Sequence, residues 1–163
     1  MTFASFEEMQ QHIGQEIAVT DWLPITQERV THFAQVTDDP DWMHIDEVRA
    51  AAGPVGQTIA QGFLTLSLLI YFSHQANYLP ADIAHAFNYG LDRVRWITPV
   101  KVGASIRNRV VLSALQAREG GRYLITTTNT VEVAGETRPA MVARWLGLLQ
   151  RSPTAAVTST WRS

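Results

Sequence analysis

The chain has 163 residues, enough for one domain with one sizeable core. It is 46% hydrophobic and 17% charged with a formal net charge of −2, and the pairs Arg93/Arg95 and Arg107/Arg109 are too sparse to make a nucleic-acid surface. It has no cysteine, which excludes disulfides, cysteine nucleophiles and thiolate metal sites.

The first residues, Met1 to Glu8, are acidic and lack the basic and apolar regions of a signal peptide. Ser5-Phe6-Glu7-Glu8 matches a capping box and opens a short helix that Gly14 would end. Glu16 to Trp22 alternates weakly, with Ile17 and Val19 on one side, and reads as a strand. Thr26 can cap a second helix running to about Val36, with Val30, Phe33 and Ala34 on one face. Asp38-Asp39-Pro40 breaks it, because the residue before a proline is pushed out of helical geometry.

Asp46 to Ala52 reads as another short helix, stopped by Gly53-Pro54. From Gly62 to about Gln75 the residues are apolar on every side, the pattern of a helix buried all round. Its apolar run, Phe63 to Phe72, is much shorter than the roughly 20 residues needed to span a bilayer, so no membrane span is expected. Beyond it, Ala86–Ile97, Ala104–Leu115, Arg122–Val133 and Arg138–Leu149 are rich in β-branched and aromatic residues and read as strands. Gly120-Gly121 and Gly135-Glu136 are separators short enough for hairpins.

Together these readings give an α+β domain over residues 1–151, with residues 152–163 as a polar, frayed tail. About five antiparallel strands and one wholly apolar helix suggest a curved sheet wrapped around that helix. A soluble, cytoplasmic protein is expected.

Two clusters could carry chemistry. Asp39 and His44 stand five residues apart in a polar, proline-containing turn, beside Asp38 and Asp41; spacing alone does not choose among the three aspartates. One histidine with carboxylates is a weak metal signal, and no metal is expected. Gly62 opens the apolar helix, where the first N–H groups have no internal partner and attract negative charge. Two acid–base groups and a free N–H are the parts needed to add water to an activated double bond.

The residues Phe33-Ala34-x-x-Thr37-x-Asp39-x-x-Trp42-x-His44-x-Asp46, followed by Ile59-Ala60-x-Gly62-Phe63-Leu64, resemble the hydratase motif of the MaoC-like dehydratases. Asn88-Tyr89-Gly90-Leu91-Asp92-Arg93 and Arg138-Pro139-Ala140 are most similar to the nodulation-protein-N-like branch. The resemblance implies a hot-dog fold and a homodimer whose sheets join edge to edge. It implies an (R)-specific enoyl-CoA hydratase or 3-hydroxyacyl-CoA dehydratase acting on acyl-CoA or acyl-carrier thioesters, with no cofactor beyond the coenzyme A of the substrate. It places the catalytic pair on Asp39 and His44 and the oxyanion hole on Gly62, with Asp38 and Asp41 as turn-formers. Trp42, Gln61, Asn88 and Tyr89 are further candidates for substrate contact. The chain departs from the family pattern twice: Asp41-Trp42 stands where many members have Asn-Pro, and Gln61 replaces the usual histidine before the glycine. A hot-dog thioesterase and a non-catalytic acyl-thioester-binding module are the alternatives.

Overall fold

The computed structural model describes residues 2–153, so most of the expected tail, residues 154–163, lies outside the described residues. Ser5 accepts the Glu8 amide and caps α1 (Phe6–Gln10), while the Glu8 carboxylate takes the Ala4 amide. This helix is shorter than its sequence suggests; turns carry the chain from Gln11 to Gly14. The strand expected over Glu16–Trp22 ends early, as β1 (Glu16–Val19), and an unexpected two-residue β2 (Leu23–Pro24) follows beyond it. Between them the Thr20 hydroxyl receives the Asn108 amide in place of a backbone carbonyl, which interrupts the ladder.

Thr26 caps α2 (Gln27–Thr37) by accepting the Arg29 amide. Two short helices follow, α3 (Trp42–Ile45) and α4 (Glu47–Ala51), and then the long α5 (Gly62–Ala76). The remaining strands are β3 (Ile83–Trp96), β4 (Ser105–Arg118), β5 (Arg122–Val133) and β6 (Met141–Arg151). The sheet runs β1-β4-β5-β6-β3 with β2 also on β4, and every pair is antiparallel. Six strands replace the expected five because the short β2 was not expected. Gly120 and Gly121, at φ 72° and 69°, make the tight β4–β5 connection that a side chain would strain.

The sheet lies against α5. Leu64, Leu68, Leu69 and Phe72 pack on Ile106, Val131, Met141 and Ala143, each such burial contributing about 1.5–3 kcal/mol. A second cluster joins Phe6 and Met9 of α1 to Tyr78, Val110, Leu112 and Leu149. The expectation that α5 is buried on every side is not met, since Phe63 is 66% exposed and Ile70 and Tyr71 are also open. A sheet covers only one side of a helical cylinder. β3 is likewise exposed almost throughout, and pairs with β6 on one edge only. Phe87, Tyr89, Leu91 and Trp96 are among its exposed apolar side chains.

Candidate active site

Asp39 and His44 meet because α2 stops abruptly. Asp38 takes the left-handed conformation (φ 51°, ψ 41°), and the amides of Asp38 and Asp39 both return to the Ala34 carbonyl. Asp41 then caps α3 by accepting the Met43 amide at 2.9 Å. One helical turn, where the sequence suggested only a loop, swings His44 back until its Nε2 lies 3.9 Å from Asp39 Oδ2. Asp38 and Asp41 form the turn, and Asp46 caps α4 through the Arg49 amide.

The His44 ring is oriented by the backbone. Its Nδ1 is 2.7 Å from the Ile59 carbonyl. A carbonyl can only accept, so Nδ1 carries the hydrogen and, in the neutral ring, Nε2 presents a lone pair toward Asp39. A water placed ~2.8 Å from both Nε2 and Oδ2 would subtend roughly a right angle, so the two groups can share one water. Gln27 braces the turn: its Nε2 donates to the His44 carbonyl at 2.7 Å, and its Oε1 accepts from Thr58 at 2.6 Å. The His44 side chain is 12% exposed and that of Asp39 40%.

Gly62 is the first residue of α5, and Gln61 before it supplies no side-chain cap. Among the described residues, no carbonyl or side chain takes the Gly62 amide. His44, Gly62, Ile59, Thr65 and Trp96 line one cleft of about 300 Å³. The Trp96 indole donates to the Gly62 carbonyl at 2.8 Å and lies over the glycine so closely that a Cβ would fall 2.9 Å from its Nε1. Asp39 lines a neighbouring groove with Thr31, Ala34 and Ile45, so the acid–base pair joins two concavities.

The other candidates lie elsewhere. Gln61 is 3% exposed; its Nε2 donates to the Val30 carbonyl at 3.3 Å, tying the start of α5 to α2, and it does not line the cleft. Its Oε1 has no partner among the described residues. Trp42 packs beneath the Arg49 guanidinium, 4.5 Å away, and against Gly53, on the outer side of α3 and α4. Asn88 lines a cavity beside the far half of α5, and Tyr89 is exposed on β3. The structure therefore gathers Asp39, His44 and Gly62 and leaves Trp42, Asn88 and Tyr89 outside the cleft of a single chain. Trp96, Gln27 and the Ile59 carbonyl were missed. Trp96 could have been suspected from its place at a strand end before Thr98-Pro99; a carbonyl leaves no mark in a sequence. Among the described residues, no group of three or more histidines and carboxylates is placed to hold a metal.

A sheet laid on one central helix, with a histidine beside that helix's uncapped start and a carboxylate 3.9 Å from the histidine, defines a hot-dog protein. The sequence profile of the family described as MaoC like domain matches residues 8–135, and the chain belongs to this family. It is 43% identical over 142 residues to 3-hydroxyacyl-thioester dehydratase Z of Mycobacterium tuberculosis, covering 87% of this chain and 93% of that protein. It is 41% identical over 151 residues to Nodulation protein N of Rhizobium leguminosarum, covering 91% and 93%. Among solved structures, the (R)-hydratase from A. caviae superposes with a TM-score of 0.68 at 22% identity, over 86% of this chain and 96% of that one. A monoamine oxidase regulatory protein from Archaeoglobus superposes with a TM-score of 0.76 at 24% identity, over 94% and 98%. These two likenesses establish the fold.

Proposed function

We propose that the chain is a hydro-lyase that adds water reversibly to a trans-2-enoyl thioester, giving an (R)-3-hydroxyacyl thioester. The observation that carries this reading is the His44 ring, whose Nδ1 is committed to Ile59 while Nε2 faces both Asp39 and the cleft at the start of α5. In the forward direction Asp39 and His44 hold one water and remove its proton as the oxygen attacks C3. The thioester oxygen gains enolate charge and accepts from the Gly62 amide, where the helix dipole adds to the stabilisation. One of the pair then returns a proton to C2 on the same face. The similarity to a named 3-hydroxyacyl-thioester dehydratase supports the same chemistry. No cofactor enters these steps; coenzyme A or a carrier arm belongs to the substrate.

Asp39→Asn retains the shape of the turn but not the base, and is expected to lower turnover by ~10²–10⁴-fold. Loss of the enoyl absorbance of a trans-2-enoyl-CoA measures this. Wild-type turnover by the variant would refute the assignment, and thiol release without loss of the alkene would favour a thioesterase.

We also propose a homodimer joined along β3. That strand has fourteen residues and an open edge, and its exposed Phe87 and Leu91 share clefts with Ile70 of α5, which is also exposed. Leu91→Lys is expected to shift the sedimenting species from dimer to monomer; an unchanged dimer would refute this interface. No helix among the described residues is long and apolar enough to cross a membrane, and we place the enzyme in the cytoplasm.

A further inference from the structure

Helix α2 touches the acid–base pair at both of its ends. Gln27 is its first residue, and Asp39 stands two residues past its last, Thr37. At the near end Gln27 Nε2 donates to the His44 carbonyl at 2.7 Å. At the far end Asp39 Oδ2 lies 3.9 Å from His44 Nε2. The 11 residues between make a stiff strut, about 16 Å long. A residue that pins His44 to one end of this strut therefore sets its distance from the carboxylate at the other.

The Gln27 amide has one orientation. A carbonyl only accepts, so the nitrogen faces His44 and the oxygen faces Thr58, whose hydroxyl donates to it at 2.6 Å. The second Nε2 hydrogen is directed at Thr31 Oγ1, 3.2 Å away. Thr58 is 4% exposed, so these bonds meet little competition from water.

Thr58 closes the circuit. The carbonyl of its neighbour Ile59 takes the His44 Nδ1 hydrogen, and the Ile59 amide donates to the Met43 carbonyl at 3.0 Å. The segment is itself anchored, since the Thr58 carbonyl accepts from Val102 at 3.0 Å and the Ala60 amide donates to Val100 at 2.8 Å. His44 is thus held by its ring from Ile59 and by its main chain from Gln27, and the two holds meet at Thr58-Ile59. Helix α3, which carries His44, is four residues long. A single turn has no stability of its own, so its place depends on such tertiary partners.

We propose that Gln27 is a positioning residue for the acid–base pair: bonded to the His44 carbonyl and to Thr58, it holds the imidazole at the distance from Asp39 at which the two share one water. This rests on the hydro-lyase reading above.

Gln27→Met keeps the side-chain length and removes both bonds. A displacement of His44 by about half an ångström is expected to lower kcat about tenfold. KM should stay within about twofold, because the residues lining the Gly62 cleft are unchanged. Thr58→Val is expected to give a smaller loss, and the double variant should be no slower than Gln27→Met alone, since Thr58 acts through Gln27. Gln27→Glu puts an acceptor against the His44 carbonyl unless its carboxyl is protonated. Its kcat relative to wild type should therefore rise as the pH falls from about 8 to about 5, a response that Gln27→Met lacks. Circular dichroism and the unfolding temperature check folding, and Thr58→Val gives the same test should Gln27→Met not fold. Nitrogen NMR of the histidine rings, with His44 identified by comparison with His44→Gln, reports the placement without turnover; its signals should move in Gln27→Met. Wild-type kcat in the folded variants, or the same pH response in Gln27→Glu and Gln27→Met, overturns the inference and leaves the functional reading standing. A wild type that hydrates no enoyl thioester overturns the functional reading, and the ring signals then decide the inference: displaced ones support it and unchanged ones overturn it.

Discussion

Replacing Gly62 by alanine tests how closely the proposed oxyanion amide depends on its roof. The new Cβ would lie 2.9 Å from Trp96 Nε1 and 3.0 Å from Cε2. Carbon contacts are comfortable at about 3.5 Å, so the indole must retreat by roughly 0.5 Å. Trp96 is half-exposed and can move, but its bond to the Gly62 carbonyl, now 2.8 Å, then weakens. Losing that bond costs about 1 kcal/mol. Alanine in place of glycine returns up to ~1 kcal/mol of helix propensity. Stability should therefore be nearly unchanged while the first turn of α5 shifts. A displacement of ~1 Å at a reacting centre can cost about 10²-fold, so half of it is expected to lower kcat about tenfold. Hydration of a trans-2-enoyl-CoA, followed by absorbance alongside thermal unfolding, gives both numbers. In a Trp96→Leu background the clash is absent, so adding Gly62→Ala there should cost less than it does in the wild type. Wild-type kcat in Gly62→Ala would refute the reasoning, as would an equal loss in the presence and absence of the indole.

Two further outcomes follow from buried and bridging polar groups. Gln61→Met removes the bond to the Val30 carbonyl together with the unpartnered Oε1, two effects of opposite sign, so the unfolding free energy should change by less than about 1 kcal/mol. Because that bond ties α5 to α2, the helix that leads into Asp39, kcat should fall several-fold with KM unchanged; a rise in KM alone would show a binding role instead. Away from the cleft, Arg151 holds the Glu7 carboxyl down at about 2, against its ordinary 4.5, by donating a hydrogen bond to it and pairing with its charge. A lowered folded-state pKa contributes stability that is complete above about 4.5 and disappears as pH falls toward 2. Arg151→Gln should thus lower the unfolding temperature at neutral pH, with the difference shrinking through that acid window; a pH-independent difference would exclude this linkage.

The legible features were local ones. Ser5, Thr26 and Asp46 cap helices within three residues of themselves, and such bonds follow from residue type and spacing. The long valine- and threonine-rich runs became strands for the same reason, and Gly120-Gly121 closed a hairpin because both take positive φ. His44 and Gly62 could be proposed because their chemistry resides in side-chain type and in the start of a helix, whereas Asp39 was set apart from Asp38 and Asp41 only by the family resemblance. Trp42 illustrates the limit: a tryptophan inside the motif suggested substrate contact, but the α3–α4 corner turns it onto Gly53 and Arg49.

The sequence by itself determined an α+β chain with one apolar helix, its caps and turns, and the residue types able to move protons at that helix's start. Tertiary structure alone decided that Ile59 orients His44, that Trp96 roofs Gly62, that Gln61 lies beneath the cleft, and that one side of α5 and the edge of β3 remain open. The division has a physical cause. Caps and periodicity depend on neighbours along the chain, whereas an orienting carbonyl, a roofing ring or an open face depends on which distant segments the packed sheet brings within a few ångströms.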